Sequence, residues 1–471
     1  MGLVVYNTFS RRKEPFEPVA AGRVSIYVCG PTVYDLPHLG HARAAVAFDV
    51  IRRTFRALGY DVTYVMNITD VDDKIITRAN EEGRSPFAVA DEYTRAYQAS
   101  MARVGVLPPD IAPRATGHII EMVALVEQLI GTGAAYPVEG GDVYFSVRSF
   151  GKYGELSNRS LDDMRAGERV EPDPRKRDPM DFALWKGAKP GEPSWPSPWG
   201  PGRPGWHLEC SAMSMKYLGE SFDVHGGGQD LIFPHHENER AQSEAVTTAP
   251  FVRFWLHNGF VTINEEKMSK SLKNFVSLDD VLAQYPAPAV RMLLVAAHYR
   301  SPIDFSPDGL DEAGAMWQRF STFARNATDA LDAAPEIDDG RPLSFEADFF
   351  AALEDDFNTP SAVAVLFELV NAGNVLVEQV EAGGDPRLLR AHLATFSKMA
   401  GVLGLDPLTQ WPAEESGAEI VGSLVESLLE MRERAREARD FETADLIRER
   451  LVKAGVVVED RPGGPRWRIK R

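Results

Sequence analysis

Cys29 and Cys210, the only two cysteines in 471 residues, each stand beside groups with which they could share a metal ion. Cys29 ends the apolar run Val24–Val28, just before Gly30-Pro31, and Cys210 precedes His235-His236-Glu237-Asn238-Glu239. His235 and Glu239 are four apart, which puts an imidazole and a carboxylate on one face of a helix started by Phe233-Pro234. Two thiolates, an imidazole and a carboxylate make a four-donor set suited to zinc. Taken alone, the same residues read rather as two buried thiols and a polar helix face. His236 is expected to point elsewhere, into a polar pocket.

Two further segments suit phosphate. His38-Leu39-Gly40-His41 opens a helix, where unpaired amides and a partial positive charge meet an anion. Gly40 leaves room for close approach, and the two imidazoles, three apart, share a side. By themselves they read as well as helix-capping histidines. Lys267-Met268-Ser269-Lys270-Ser271 sets two lysines and two hydroxyls on a short loop, with Lys273 adding charge. Alone, that run reads as a solvated surface. A soft metal beside two phosphate-handling segments points to ATP-dependent activation of a thiol-bearing substrate.

These residues need a frame. Val24–Val28 has a buried-strand pattern, residues 39–58 show helical spacing closed by Gly59, and Val62–Met66 reads as a second strand. Strand, helix, strand makes a right-handed parallel crossover, so the loop after the first strand lies at the carboxyl edge of a sheet, where ligands bind. Residues 117–202 look inserted, with a helix near Ile119–Ile130 and a strand near Asp142–Val147. From Glu171 to Gly205 come nine prolines with Trp185, Trp195 and Trp199, which predicts an ordered but irregular loop. The α/β pattern resumes at Phe222–His225, continues in a helix from His235, and ends in a strand over Val252–Val261. Beyond Ser301 the spacing is helical, over Gly309–Leu331, Phe345–Glu354, Pro360–Glu381 and Pro386–Val402. After a linker, helices over Ile420–Arg439 and Phe441–Ala454 and a small strand pair close the chain.

The length suggests about three domains. No run approaches the roughly 18 apolar residues of a membrane span, and the N-terminus does not read as a signal peptide, so the chain is expected in the cytoplasm. A net charge of −18 argues against general nucleic-acid binding. Residues 421–471 carry twelve Lys/Arg against ten Asp/Glu, which permits an RNA-facing tail.

The two phosphate segments, in this order and about 230 residues apart, resemble the paired signatures of class I aminoacyl-tRNA synthetases. Tyr27–Asp35, Asn67–Lys74, Gly205–Met213, His225–Leu231, Asp355–Pro360 and Asp440–Asp445 resemble the cysteinyl-tRNA synthetase family, and the likeness covers essentially the whole chain. It implies a Rossmann-like parallel-sheet α/β catalytic domain with an inserted connective segment, a helical bundle and a small α+β C-terminal domain. The divisions expected are 1–116 and 205–275 for the catalytic halves and 117–204 for the insert. A stem-contact region (276–308), a tRNA-binding bundle (309–405), a linker (406–417) and an anticodon-binding domain (418–471) follow.

The resemblance also implies roles. Cys29, Cys210, His235 and Glu239 would hold one Zn²⁺, there to select the substrate's thiol, since a serine hydroxyl stays protonated and is a harder ligand. His38, His41, Lys267 and Lys270 would stabilise phosphate charge, with Gly40, Gly227 and Asp230 around the ATP, which Mg²⁺ accompanies. Thr69 and Trp206 would contact cysteine. The implied partners are tRNA(Cys), L-cysteine and ATP, with no membrane, acting on a monomer. Seven of the ten histidines (38, 41, 207, 225, 235, 236, 257) fall in these segments. Arg432, Arg434, Arg436 and Arg439 are spaced along one helix, and Trp467 is either a base-stacking group or part of a small core. A mycothiol-pathway cysteine ligase, joining cysteine to an amino-sugar, shares the zinc and nucleotide motifs. The final unit, and His225 with Asn238, oppose it. A non-catalytic zinc RNA-binding protein fits the acidity and the paired motifs poorly.

Overall fold

The computed structural model describes residues 2–160, 173–263, 266–267, 276–332, 343–409, 411, 415–454, 456–459 and 466–469. Its main sheet is parallel and four-stranded. Strand β1 (Arg23–Val28) leads through helix α1 (Leu39–Ala57) to β2 (Asp61–Met66). The second half contributes α2 (Trp206–Leu218), β3 (Phe222–Gly228), α3 (Glu237–Thr247) and β4 (Val252–Asn258). The spatial order is β4-β3-β1-β2, with Val28 opposite Met66 on one side and Gly226 on the other. Val24, Ile26, Tyr27 and Val28 are all buried, as expected of a strand covered on both faces. The crossover from β1 leads one way while β3 lies on the other side, so a crevice opens at the carboxyl ends of β1 and β3. Cys29 stands at its edge.

The insert carries a helix over Ile119–Gly131 and an antiparallel sheet of Ala135–Pro137, Val143–Phe145, Phe182–Gly187 and Gly202–Pro204, in that order. The proline-rich stretch is therefore not wholly irregular, contrary to the expectation from composition. Most of its prolines lie between the strands, and Pro204 is on the edge strand, where a missing N–H need not cost a ladder bond. Buried Arg203 ties this sheet to Asp73 and, at 3.1 Å, to Glu192. Asp73 begins a helix (Asp73–Glu82) that Asp72 caps through Lys74 N–H. The predicted strand over Val252–Val261 divides: β4 stops at Asn258, and Val261–Ile263 joins a small sheet with Glu266–Lys267 and Ile303–Asp304.

Helices Pro307–Asp332, Ser344–Glu354, Thr359–Glu381 and Arg387–Leu403 form the bundle. Thr359–Glu381 is long and apolar enough, by length and composition alone, to cross a membrane, which the reading of apolar runs overlooked. Its Leu366, Leu369 and Val370 are buried in one cluster with Phe320, Phe323 and Phe396, and that cluster continues to Leu39, Ala42 and Val46 of α1. Charge locks the same junction. Buried Asp49 accepts from Arg52 (2.9 Å), Arg53 (2.7 Å) and Arg291 (2.7 Å), and Arg291 also donates to Leu403 O and Val104 O. Burial alone would raise Asp49, but Arg291, Arg53 and Arg52 hold it down at about 2. A second buried carboxylate, Asp356, accepts from Tyr6 N–H, Tyr299 Oη and Arg300 Nε at 2.8–3.0 Å. Its own φ is +59°, a left-handed conformation that Asp tolerates better than most residues.

Residues 411–471 form a second compact unit. Helices Glu415–Glu437 and Phe441–Lys453 and a hairpin of Val456–Glu459 with Arg466–Ile469 enclose Val425, Leu429, Ile447, Leu451, Val456 and Val458. Trp467 packs half-buried against this core, the small-core role of its two readings.

Candidate metal and nucleotide site

The carboxyl end of β1 delivers Cys29, and α2 delivers Cys210 from the facing half. Their sulfurs are 3.6 Å apart. Glu239 on α3 brings Oε1 to 3.4 Å from Cys29 Sγ and 2.9 Å from His235 Nε2. One donor atom from each of these four residues lies within 4.8 Å of all the others. His235 is not on α3 itself. It belongs to a wide turn, Ile232–His236, closed by Glu237 N–H on Ile232 O. That turn also redirects His236, which the sequence reading aimed elsewhere: its Nε2 is 3.3 Å from Cys29 Sγ. Cys29, His225, His236 and Glu239 therefore form a second convergent group, sharing two members with the first.

The four-donor set suits a soft divalent cation. His235 Nε2 is buried 2.9 Å from Glu239 Oε1 without a well-directed hydrogen bond, so a ring nitrogen is held among anionic donors. Burial would pull His235 down, yet the Glu239 carboxylate outweighs it and lifts the imidazole to about 10. Burial would raise Cys210, but the hydrogen bond from Cys29, helped by His235, brings its thiol down to about 6. Glu239 is held far below the carboxylate range by His225 and His235 against its burial. A proton on His235 thus balances the negative donors, in the place where a metal ion would compete with it.

A ring of histidines backs the cluster. His225 Nε2 is 2.8 Å from Glu239 Oε2, and the His225 ring stacks on Trp255 with centroids 4.8 Å apart. His207 Nδ1 meets His235 Nδ1 at 2.9 Å, and His236 Nδ1 meets His257 Nε2 at 2.8 Å. Burial pushes His207 and His236 well down and His257 to about 3, so these three are neutral and orient their neighbours through hydrogen bonds.

Trp206, the first residue of α2 and 37 % exposed, stacks on His235 with centroids 4.1 Å apart. It forms an open wall beside the donor set. Thr69 is buried on the loop after β2, its N–H donating to Pro31 O and its hydroxyl to Glu209 Oε2 at 2.9 Å. Asn67 links the two regions: its Oδ1 accepts from Gly30 N–H at 2.8 Å and lies 3.7 Å from Cys210 Sγ, and its Nδ2 donates to Thr69. Asn67 and Glu209 lie inside segments that carry the family resemblance, and nothing in their type or spacing singles out either one.

At the other end of the crevice, His38 caps α1 and His41 answers it. Each ring Nδ1 accepts from the other residue's N–H, and the rings stack at 3.8 Å. Capping and a shared face, the two readings of this pair, hold together. Gly40 is the second residue of the same helix. Gly226, Gly227 and Gly228 end β3, and a Cβ on Gly226 would lie 2.3 Å from Phe48 Cε1. Asp230 is in the turn that follows. Lys267 lies on the short strand Glu266–Lys267; its side chain and the whole of Lys270 are outside the described residues.

Residues 15–315 match the model of tRNA synthetases class I (C) catalytic domain, 348–408 a DALR domain and 422–468 a cysteinyl-tRNA ligase anticodon binding domain. The chain is 52 % identical over 466 residues to a cysteine–tRNA ligase of Thioalkalivibrio sulfidiphilus, covering 99 % of both chains. It is 51 % identical over 469 residues to that of Alkalilimnicola ehrlichii, again over 99 % of each. Among solved structures, Mycobacterium tuberculosis methionyl-tRNA synthetase with methionyl-adenylate superposes with a TM-score of 0.59 at 15 % identity, over 82 % of this chain and 90 % of that one. An Agrobacterium radiobacter LeuRS–tRNA–LeuAMS complex gives 0.58 at 11 % identity, over 85 % and 88 %. At such identities the likeness is one of fold.

Proposed function

The chain belongs to the cysteine–tRNA ligase family, and from that premise we propose how its own residues carry out the reaction. The enzyme joins L-cysteine to tRNA(Cys) at the expense of ATP, through cysteinyl-adenylate. The substrate carboxylate attacks the α-phosphate with loss of diphosphate, and a terminal ribose hydroxyl of the tRNA then takes the cysteinyl group from AMP. No protein nucleophile is needed, so the work is positioning and charge stabilisation. His38 and His41, at the positive end of α1, face the phosphates, joined by Lys267 and Lys270. Gly40, Gly227 and Asp230 shape the nucleotide's bed. Trp206 and Thr69 flank the amino acid.

Cys29, Cys210, His235 and Glu239 would hold a zinc ion. When bound, zinc supplies a soft Lewis acid that favours a thiolate over a serine hydroxyl. The observation that carries this reading is the convergence of those four donors, from two halves of the fold, beside the crevice. His225 keeps Glu239 turned inward and His207 keeps His235 turned inward. Neither competing reading gains support, because the relatives named as cysteine–tRNA ligases match along 99 % of the chain, the final unit included.

Cysteine-dependent ATP–pyrophosphate exchange, followed by charging of unfractionated tRNA, tests the whole. Metal-stripped enzyme is expected to lose its preference for cysteine over serine and to recover it with Zn²⁺. An undiminished preference would end the zinc reading.

A further inference from the structure

Glu209 is a buried carboxylate to which the reaction described above gives no part. It stands on α2 immediately before Cys210, has no ion pair among the described residues, and receives the Thr69 hydroxyl proton at 2.9 Å. Thr69 Oγ1 also accepts from Asn67 Nδ2 at 3.2 Å. A hydroxyl has one proton and two lone pairs, so these two bonds leave one lone pair available. Burial pushes the Glu209 carboxyl well above the usual carboxylate range, and Cys210, Asp72 and Asp70 push the same way against the bond from Thr69. Glu209 is costly to ionise there unless a cation arrives to complete the site.

Cysteine brings such a cation. Its sulfur and ammonium sit on adjacent carbons, so a substrate with its sulfur at the Cys29–Cys210–His235–Glu239 cluster has its ammonium a few ångströms away. Asn67 spans that interval, 3.7 Å from Cys210 Sγ at one end and bonded to Thr69 at the other. We propose that Glu209 is a positioning residue for the substrate's α-ammonium. It commits the Thr69 proton, so that the remaining lone pair accepts an ammonium N–H, and it provides the buried counter-charge. The site thereby takes an α-amino thiol in preference to a thiol lacking the amino group. This inference rests on the cysteine-activating reading above.

The test uses full-length, zinc-loaded wild type, Glu209→Gln and Glu209→Asp. Calorimetry measures binding of cysteine and of 3-mercaptopropionate, which keeps the thiol and carboxyl but lacks the amino group. Pyrophosphate exchange gives KM and kcat, and metal content is read on the same samples. Glu209→Gln is expected to weaken cysteine by about tenfold or more, the loss of a charge-assisted bond. Its cysteine KM should rise in step while its ATP KM and its 3-mercaptopropionate affinity stay within about twofold. Glu209→Asp should recover part of the loss. Cysteine weakened no more than 3-mercaptopropionate, or loss of the metal, would overturn the proposal, assigning Glu209 to the fold or to the metal cluster. A wild type without cysteine-dependent exchange would instead sink the functional reading.

Discussion

Gly30→Ala is a severe test of how the donor set is held. Gly30 follows Cys29, and its N–H donates to Asn67 Oδ1 at 2.8 Å. A Cβ placed there would lie 1.6 Å from the Asn67 carbonyl oxygen, and real Cβ contacts essentially never fall below 3.0 Å. The two backbones must therefore separate by about 1.4 Å, the difference between those two values. Neither side is free to yield, because Cys29 N–H is bonded to Gly226 O and Thr69 N–H to Pro31 O, each at 3.1 Å. The opening is a large fraction of the 3.4–3.6 Å that separate Cys29 Sγ from Glu239 and Cys210. It removes one sulfur from a tetrahedral set whose bonds tolerate only about 0.2 Å. A displacement of about 1 Å at a positioned group costs on the order of 10²-fold in rate. Zinc stoichiometry and cysteine-dependent exchange should both fall, exchange by about 10²-fold in kcat/KM. Gly117→Ala, whose Cβ meets nothing within 4 Å, should leave both unchanged. Gly30→Ala retaining one zinc per chain, with exchange within about threefold of wild type, would refute the reasoning.

Three further outcomes are expected. Asp49→Asn strands three arginines at the α1–bundle junction and should destabilise by about 3–5 kcal/mol, read as a lowered urea midpoint; a midpoint unmoved from wild type contradicts it. Because Asp49 is depressed to about 2 in the folded chain, its stabilisation is complete above the unfolded carboxyl's pKa near 4 and is lost as pH falls toward 2. The gap between wild type and variant should accordingly stay level from pH 8 to 5 and narrow only below about pH 4. Cys210→Ser should raise KM for cysteine far more than for ATP; equal losses would make the metal purely structural. Asp356→Asn keeps a residue that accepts positive φ but removes the charge facing Arg300. Strands Val4–Asn7 and Arg12–Pro15 pair as an N-terminal hairpin held to Asp356 through Tyr6 N–H; its loosening should follow, seen as faster proteolysis near the N-terminus, and an unchanged cleavage rate would count against that link.

Local periodicity suffices where neighbours in sequence decide the structure. The run Val24–Val28 and the spacing through α1 read directly as strand and helix, because burial on both faces and the apolar stripe are written into adjacent residues. His236 does not yield to this treatment. Its approach to Cys29 depends on the wide Ile232–His236 turn, which alters the angle between consecutive side chains that a regular helix would impose. The strand at Gly202–Pro204 was hidden by the prolines around it, since an edge strand tolerates Pro and composition does not reveal which strand lies at an edge. Glu209 is the clearest case: between Leu208 and Cys210 it looks like an ordinary helical carboxylate, and only the arrival of the Asn67–Asp70 loop encloses it. The Cys, Cys, His, Glu set was legible as residue types, but choosing it over two inert thiols took the flanking resemblance.

The distance along the chain between Cys29 and its three companions bears on how the enzyme is made. A ribosome that has released β1 has exposed a single thiol, which binds zinc weakly on its own. The remaining three donors appear only after the whole insert has been synthesised. Firm retention of a zinc ion by this set would therefore await the pairing of β3 against β1, late in translation. Zinc uptake would mark a nascent chain whose two catalytic halves have met, and a cell short of zinc would accumulate chains with that seam unsecured.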